Sequence, residues 1–376
     1  MNPAARRKVV IAPDSFKGTV DAAAAAAFIA EGWHAERPAD ELVLAPMADG
    51  GEGTLAALET AAPGARREHV RVTGPDGRRV ETWWLRLADG TGAVELASTS
   101  GITLMAELAP LDAHTTGFGQ AIRAALDAGV ERVLLALGSS ASTDGGAGML
   151  TALGARFRTG DGRPIAPGGR GLAELRTAEL AGLLALPAGG ATVLGDVTNP
   201  LLGADGAAAV FGPQKGADAE TVRRLEDALA NYAAVLERAG VRVAPETSGA
   251  GAAGGTGYAL LAWGARAASG AAAVAEVIGL REAAAGAQLL ITGEGRYDRQ
   301  SAAGKVPSEV VRIARAVGAP VALVAGSVSA PSTDFAAAIS LSELAGSTAA
   351  ARSDAPRWLR RAGAELAARQ TGAAAR

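Results

Sequence analysis

Short, unbroken apolar runs recur along this 376-residue chain, and most of them end in glycine and a few acids. Val9-Val10-Ile11-Ala12 leads into Asp14-Ser15-Phe16-Lys17-Gly18, and Leu42-Val43-Leu44-Ala45-Pro46 leads into Ala48-Asp49-Gly50-Gly51-Glu52-Gly53-Thr54. Val133-Leu134-Leu135-Ala136-Leu137 precedes Ser142-Thr143-Asp144-Gly145-Gly146; two further runs close on Asp196-Val197-Thr198-Asn199-Pro200 and on Gly293-Glu294-Gly295-Arg296-Tyr297-Asp298. Apolar runs without polar alternation belong to strands covered on both faces, the condition of a parallel sheet flanked by helices. Strands are therefore expected near 8–13, 41–46, 132–137, 191–196, 288–293 and 320–325. Carboxylates gathered at strand ends are the ligands a hard cation such as magnesium prefers, so the pattern points to a phosphorylated ligand and to phosphoryl transfer.

Helical segments separate many of these strands: Thr19 to Trp33 with Thr19 as N-cap, Gly117 to Ala128, Asp218 to Arg238 and Pro307 to Val317. The glycine- and alanine-rich stretch from Gly255 to Leu280 reads as a buried helix, because Arg266 and Glu276 interrupt it and rule out a membrane span. From Glu68 to Leu96 the turn signals Gly74-Pro75-Asp76-Gly77 and Asp89-Gly90-Thr91-Gly92 separate β-rich runs, which predicts an antiparallel meander. The expected fold class is α/β with two α/β domains. One is a discontinuous, doubly wound, Rossmann-like parallel sheet built from 1–66 plus 285–376; the other is an inserted mixed α/β domain, 67–284, carrying the meander. The active site is expected in the cleft between them, since ligands of open parallel sheets sit beyond the carboxyl ends of the strands.

Composition removes several classes of chemistry. The chain has no cysteine, which excludes disulfides, thiolate metal sites and cysteine nucleophiles, and its three histidines, His34, His69 and His114, are far apart. A net charge of −3 with dispersed basic residues gives no reason to expect nucleic acid as a partner. The apolar stretch after Arg6-Arg7-Lys8 is too short for an export signal, so a cytoplasmic protein with small-molecule partners and no membrane association is expected. Assembly into a homo-oligomer is left open. Gly304-Lys305 is followed by valine and lacks the upstream glycine of a P-loop. Gly249-Ala250-Gly251-Ala252-Ala253-Gly254 fits the dinucleotide spacing but follows Pro245-Glu246-Thr247-Ser248 instead of a strand. That leaves it, at most, as a glycine run whose amides line an anion.

Six blocks carry a family resemblance: Ala12-Pro13-Asp14-Ser15-Phe16-Lys17-Gly18, Pro46 to Thr54, Thr143-Asp144-Gly145-Gly146-Ala147-Gly148-Met149, Asp196-Val197-Thr198-Asn199-Pro200-Leu201, Phe211-Gly212-Pro213-Gln214-Lys215-Gly216-Ala217 and Thr292-Gly293-Glu294-Gly295-Arg296. Together, and in this order, they resemble the bacterial glycerate kinase family of the glyoxylate and sugar-acid pathways, over about Lys8 to Ser327. The resemblance implies transfer of the ATP γ-phosphate to D-glycerate with magnesium, in many members at the 2-hydroxyl, on a two-domain α/β frame. Ser139 departs from it, standing where the family usually has a second glycine in Gly138-Ser139-Ser140-Ala141, and the last fifty residues match it poorly.

Such a reaction must neutralise a triphosphate, grip a carboxylate and aim a hydroxyl at phosphorus, chiefly by positioning and electrostatics. Lys17, Lys215 and Lys305 lie in glycine-containing loops, where an ammonium reaches phosphate as a point charge; a solvated surface lysine is the plainer alternative. Arg296 is the natural bidentate clamp for the glycerate carboxylate, with an ion pair to Asp298 or Glu294 as its alternative. Asp49, Glu52, Asp144, Asp196, Glu294 and Asp298 are candidates for magnesium or for the base, although turn or capping roles suit Asp144 and Glu52 best. Asp196 is the expected base, because Asn199-Pro200 behind it makes a short rigid loop. Thr115-Thr116-Gly117 precedes a helix and presents amides to an anion, or merely caps it. On this reading Asp196, Lys17, Lys215 and Asp298 are catalytic, and Asp14, Ser15, Arg296, Asn199 and Asp49 hold glycerate. Gly50, Gly51, Glu52, Thr116, Gly117, Gly145, Gly146 and Lys305 hold ATP, and Asp196, Glu294 and Asp144 hold Mg2+. The alternatives are a glycerate 3-kinase, a non-kinase sugar-acid enzyme, and a glycerate sensor, the last weakened because every acidic motif is present.

Overall fold

The computed structural model describes residues 6–299 and 305–372. Numbered in chain order, the strands of the described residues are β1 Lys8–Pro13, β2 Glu41–Leu44, β3 Arg66–Thr73, β4 Arg79–Arg86, β5 Thr91–Glu95, β6 Arg132–Ala136, β7 Arg156–Arg158, β8 Thr177–Glu179, β9 Ala191–Leu194, β10 Arg266–Ala268, β11 Leu289–Glu294, β12 Val321–Ala325 and β13 Ala337–Ser340. The fold is mixed α/β, as the continuous apolar runs require. The chain forms two compact units: a first of Met1–Asp49, Ala56–Pro63 and Ser269–Arg376, and a second of Gly50–Leu55 and Gly64–Ala268.

In the first unit a parallel sheet runs in the order β13-β12-β11-β1-β2. From β1 the chain passes through helix Ala22–Glu36 to β2 on one side, and from β11 through helix Val306–Val317 to β12 on the other. The direction of winding therefore reverses between β1 and β11, which is where ligands of open α/β sheets bind. The sheet's apolar side chains, among them Val9, Ile11, Ile291 and Val324, pack on Ile29, Trp33, Leu359 and Leu366. Helix Ala22–Glu36 begins later than expected. Asp21, not Thr19, caps it by accepting the Ala24 amide at 2.7 Å, while the Thr19 hydroxyl donates to the Phe16 carbonyl at 2.6 Å and closes the preceding turn. The C-terminal residues that looked uninformative form helix Ala355–Gly372, which crosses helix Ala22–Glu36 so closely that a Cβ on Gly32 would lie 1.8 Å from the Arg360 carbonyl oxygen.

In the second unit the sheet order is β10-β9-β6-β5-β4-β3, parallel from β5 to β10 and antiparallel through β3, β4 and β5, the expected meander. Its core gathers Phe118, Ile122, Leu135, Met149, Tyr232 and Tyr258. The stretch expected as one buried helix over 255–280 is broken into Ala252–Trp263, β10, Gly270–Val277 and the start of Leu280–Ala284. Gly264 ends the first helix in a left-handed conformation, φ 103°, and Ser269 caps the next, accepting from Ala272. No helix among the described residues is long and apolar enough to cross a membrane.

Candidate active site

At the reversal point of the first unit, Asp14 leaves β1 beside Glu294, the last residue of β11, with its amide donating to the Gly293 carbonyl at 2.8 Å. Asp14 is only 8% exposed. Burial, then the charge of Asp49, push its carboxyl up to about 7; the Ser15 amide and Lys17 oppose this, and Glu294 adds to it. Ser15 is half-buried and Lys17 exposed, so five of the expected residues, Asp14, Ser15, Lys17, Asp49 and Glu294, come together here. Next along the chain Arg296 pairs with Asp298 at 3.5 Å, the alternative partner foreseen for it. The Arg296 side chain is 70% exposed, and such a pair is weak enough to be exchanged for another carboxylate. Lys305 occupies the N-cap position of helix Val306–Val317 without a side-chain cap bond.

The acidic turn Gly50–Leu55 belongs to the second unit, where it lies across the carboxyl ends of β5, β6 and β9. The Gly138 amide donates to the Gly50 carbonyl at 3.3 Å, and the Ser139 hydroxyl donates to Glu52 Oε2 at 3.1 Å. Gly50 has φ +88°, and a Cβ there would lie 2.4 Å from the Leu194 carbonyl oxygen. Ser139 itself is left-handed, φ 60°, which gives a physical reason for a glycine at this position. Glu95, at the end of β5, is the residue the sequence reading missed. Its Oε2 accepts the Leu55 amide at 3.1 Å. Burial pushes Glu95 up to about 7 against the pull of the Leu55 and Gly53 amides, with Glu52 pushing up and Thr54 pulling down. The signal was available: Ala93-Val94-Glu95 is another apolar run ending in an acid.

Other expected residues of the second unit face inward. Asp144, expected as a metal ligand, is fully buried: Oδ2 accepts the Thr115 amide (2.9 Å), the Thr115 hydroxyl (2.8 Å) and the Gly148 amide (3.2 Å), and Oδ1 accepts the Gly146 amide (3.1 Å). It anchors the loop, as a turn acid does. Gly145 and Gly146, expected at the nucleotide, have φ 62° and 76°, and a Cβ on them would meet the Tyr232 ring at 2.8 Å and Ala259 Cβ at 2.5 Å. At both, the absence of a side chain is what lets the loop pack this closely. The same holds for Gly117, its Cβ position lying 2.4 Å from the Thr73 carbonyl oxygen; Thr116 is half-buried and is the first residue of helix Thr116–Asp127, whose N-cap, Thr115, makes no side-chain capping bond. Lys215, expected to touch phosphate, is 2% exposed and donates to the Ser142 carbonyl; burial pulls its ammonium down to about 8 against the charge of Asp144. Two glycines of the 249–254 run likewise lie close to backbone, Gly251 against Pro200 and Gly254 against Ser142.

Asp196 stands exposed just beyond β9. Asn199 holds the following loop, donating from Nδ2 to the Asp205 carbonyl at 2.8 Å and accepting the Gly251 amide at 2.9 Å on its own carbonyl. Among the described residues no three acids or histidines are gathered to hold a metal ion. Magnesium commonly takes one or two carboxylates and completes its shell with water and phosphate oxygens. Of the carboxylates expected at a metal, Asp144 is committed to amides, Glu294 ends β11 in the first unit and Asp196 follows β9 in the second.

The model of the glycerate kinase family matches residues 9–371. This chain belongs to the glycerate kinase family. The match extends past Ser327 into the final helix, so the family likeness covers the C-terminal region that the motifs did not. A glycerate kinase of Bacillus subtilis (strain 168) is 42% identical over 327 residues, 86% of this chain and 85% of that protein. A glycerate 2-kinase of Escherichia coli (strain K12) is 41% identical over 326 residues, 85% of each. A crystal structure of a candidate glycerate kinase 2 from Salmonella typhimurium LT2 superposes with a TM-score of 0.85 at 39% identity, covering 99% of this chain and all of that one. The protein is thus a kinase, on a fold shared with that structure over nearly its whole length.

Proposed function

We propose that this kinase transfers the γ-phosphoryl group of ATP to D-glycerate, at the 2-hydroxyl. The observation that carries the reading is the gathering of Asp14, Ser15, Lys17, Asp49 and Glu294 at the reversal point of a parallel sheet, in a chain whose relatives are named glycerate kinase and glycerate 2-kinase. Lys17, exposed in the loop after β1, meets phosphate. Arg296 exchanges its exposed pairing with Asp298 for the glycerate carboxylate, which a guanidinium grips bidentately. Ser15, Asp49 and the loop braced by Asn199 line the glycerate, and Gly50, Gly51, Glu52 and Lys305 serve the nucleotide. Glu294 and Asp196 are, each in its own unit, the carboxylates proposed for magnesium, whose chemistry would be to offset charge on the transferring phosphoryl group.

Asp196 accepts the proton of the attacking hydroxyl. Asp196→Asn then lowers kcat by orders of magnitude while glycerate binding, read by calorimetry, is kept. A second assignment of the base has an observation of its own: Asp14 sits near 7, where a general base works best at neutral pH. Asp14→Asn as the inactive variant, with Asp196→Asn active, would transfer the role. ADP release dependent on ATP, magnesium and D-glycerate tests the function itself, and its absence across related hydroxy acids removes the kinase assignment to glycerate.

A further inference from the structure

Glu95 is 6% exposed, a costly place for a carboxylate. What it meets there is backbone: the amides of Gly53, Thr54 and Leu55, at the start of helix Thr54–Ala61, where orphan N–H groups favour a negative charge. The bond to Leu55 spans forty positions of sequence, so it ties the acidic turn to β5 and is not a local cap. Two other bonds fix the same turn to the loop after β6, through Gly138 and Ser139, the latter in a left-handed conformation that is unfavourable for a non-glycine residue. Within this buried, strained frame one side chain remains exposed, that of Glu52. Strain and buried charge that persist around one presented acid are the pattern of a functional support.

We propose that Glu95 is a positioning residue of this kinase: by holding the amides of Gly53 to Leu55 it fixes the acidic turn and so aims Glu52 at the nucleotide. This rests on the proposed kinase reading, in which Glu52 serves ATP. Glu95 touches no reactant and acts only through Glu52.

The test compares Glu95→Ala, Glu95→Gln, Glu52→Gln and the double variant Glu52→Gln/Glu95→Ala. Losing a buried charge-assisted bond corresponds to a tenfold or larger effect, so Glu95→Ala is expected to lower kcat about tenfold or more with KM for glycerate unchanged. Glu95→Gln, whose amide oxygen still accepts the Leu55 amide, recovers most of it. Because Glu95 works through Glu52, the double variant is no slower than Glu52→Gln alone. Hydrogen exchange supplies a readout independent of activity: in Glu95→Ala the peptide bearing Gly53 to Leu55 exchanges faster, while helix Thr116–Asp127 keeps its protection and shows the unit folded. Wild-type kcat in Glu95→Ala, multiplying losses in the double variant, or unchanged exchange in the turn would each overturn the proposal. An inactive wild type would instead overturn the kinase reading, with the exchange measurement still deciding whether Glu95 holds the turn.

Discussion

Gly146 shows at the scale of single residues how a motif glycine is to be read. Its block, Ser142-Thr143-Asp144-Gly145-Gly146, carries the family likeness, yet its backbone is left-handed and its missing Cβ leaves room for Ala259. Gly146→Ala adds a methyl in an unfavourable φ region against a packed wall, and is expected to cost roughly 2–5 kcal/mol, read as a drop in denaturation midpoint. A neutral change would mean that the loop opens toward solvent after all. Lys215 makes a related point through charge. Burial lowers its pKa from 10.5 to about 8, so the unfolded chain binds more protons than the folded one between those values. Stability relative to Lys215→Met therefore rises as pH increases through about 8 to 10.5, and denaturation at stepped pH checks the sign. For Gly146 the motif revealed importance but not direction, because facing inward is decided by helix Ala252–Trp263, which lies far along the chain.

At the scale of elements, β1, β6, β9, β11 and β12 were legible because a run buried on both faces needs no polar alternation, and the meander because Gly74-Pro75-Asp76-Gly77 is turn chemistry. The alanine-rich helices were harder, since alanine marks neither a core face nor a surface. Glycine punctuation then decides, and Gly264, overlooked among its many neighbours, divides what read as one helix. Helix Ala355–Gly372 was opaque for the same reason, and the contact that orders it is made by two glycines, Gly32 against Arg360 and Gly363 against Ile29. Gly32→Ala separates the opposite expectations cleanly. On an open helix face it would raise stability by up to about 1 kcal/mol through helix propensity, whereas against the Arg360 carbonyl it should lower stability by roughly 1–3 kcal/mol.

For the molecule as a whole, each of the two units ends its parallel strands in acids and glycines, and each uses that edge differently. The first gathers unlike residues, Asp14, Lys17, Asp49 and Glu294, around a buried carboxyl; the second clamps the acidic turn with Glu95, Gly138 and Ser139 and leaves Glu52 and Asp196 exposed. The proposed reaction is phosphorylation of D-glycerate at its 2-hydroxyl. The direct measurement is to incubate the protein with ATP, magnesium and D-glycerate, follow ADP, and add enolase to the product without a mutase. ADP release with a product that enolase consumes at once is the predicted result. A product that enolase accepts only after a mutase is supplied would place the phosphate on the 3-hydroxyl and contradict it.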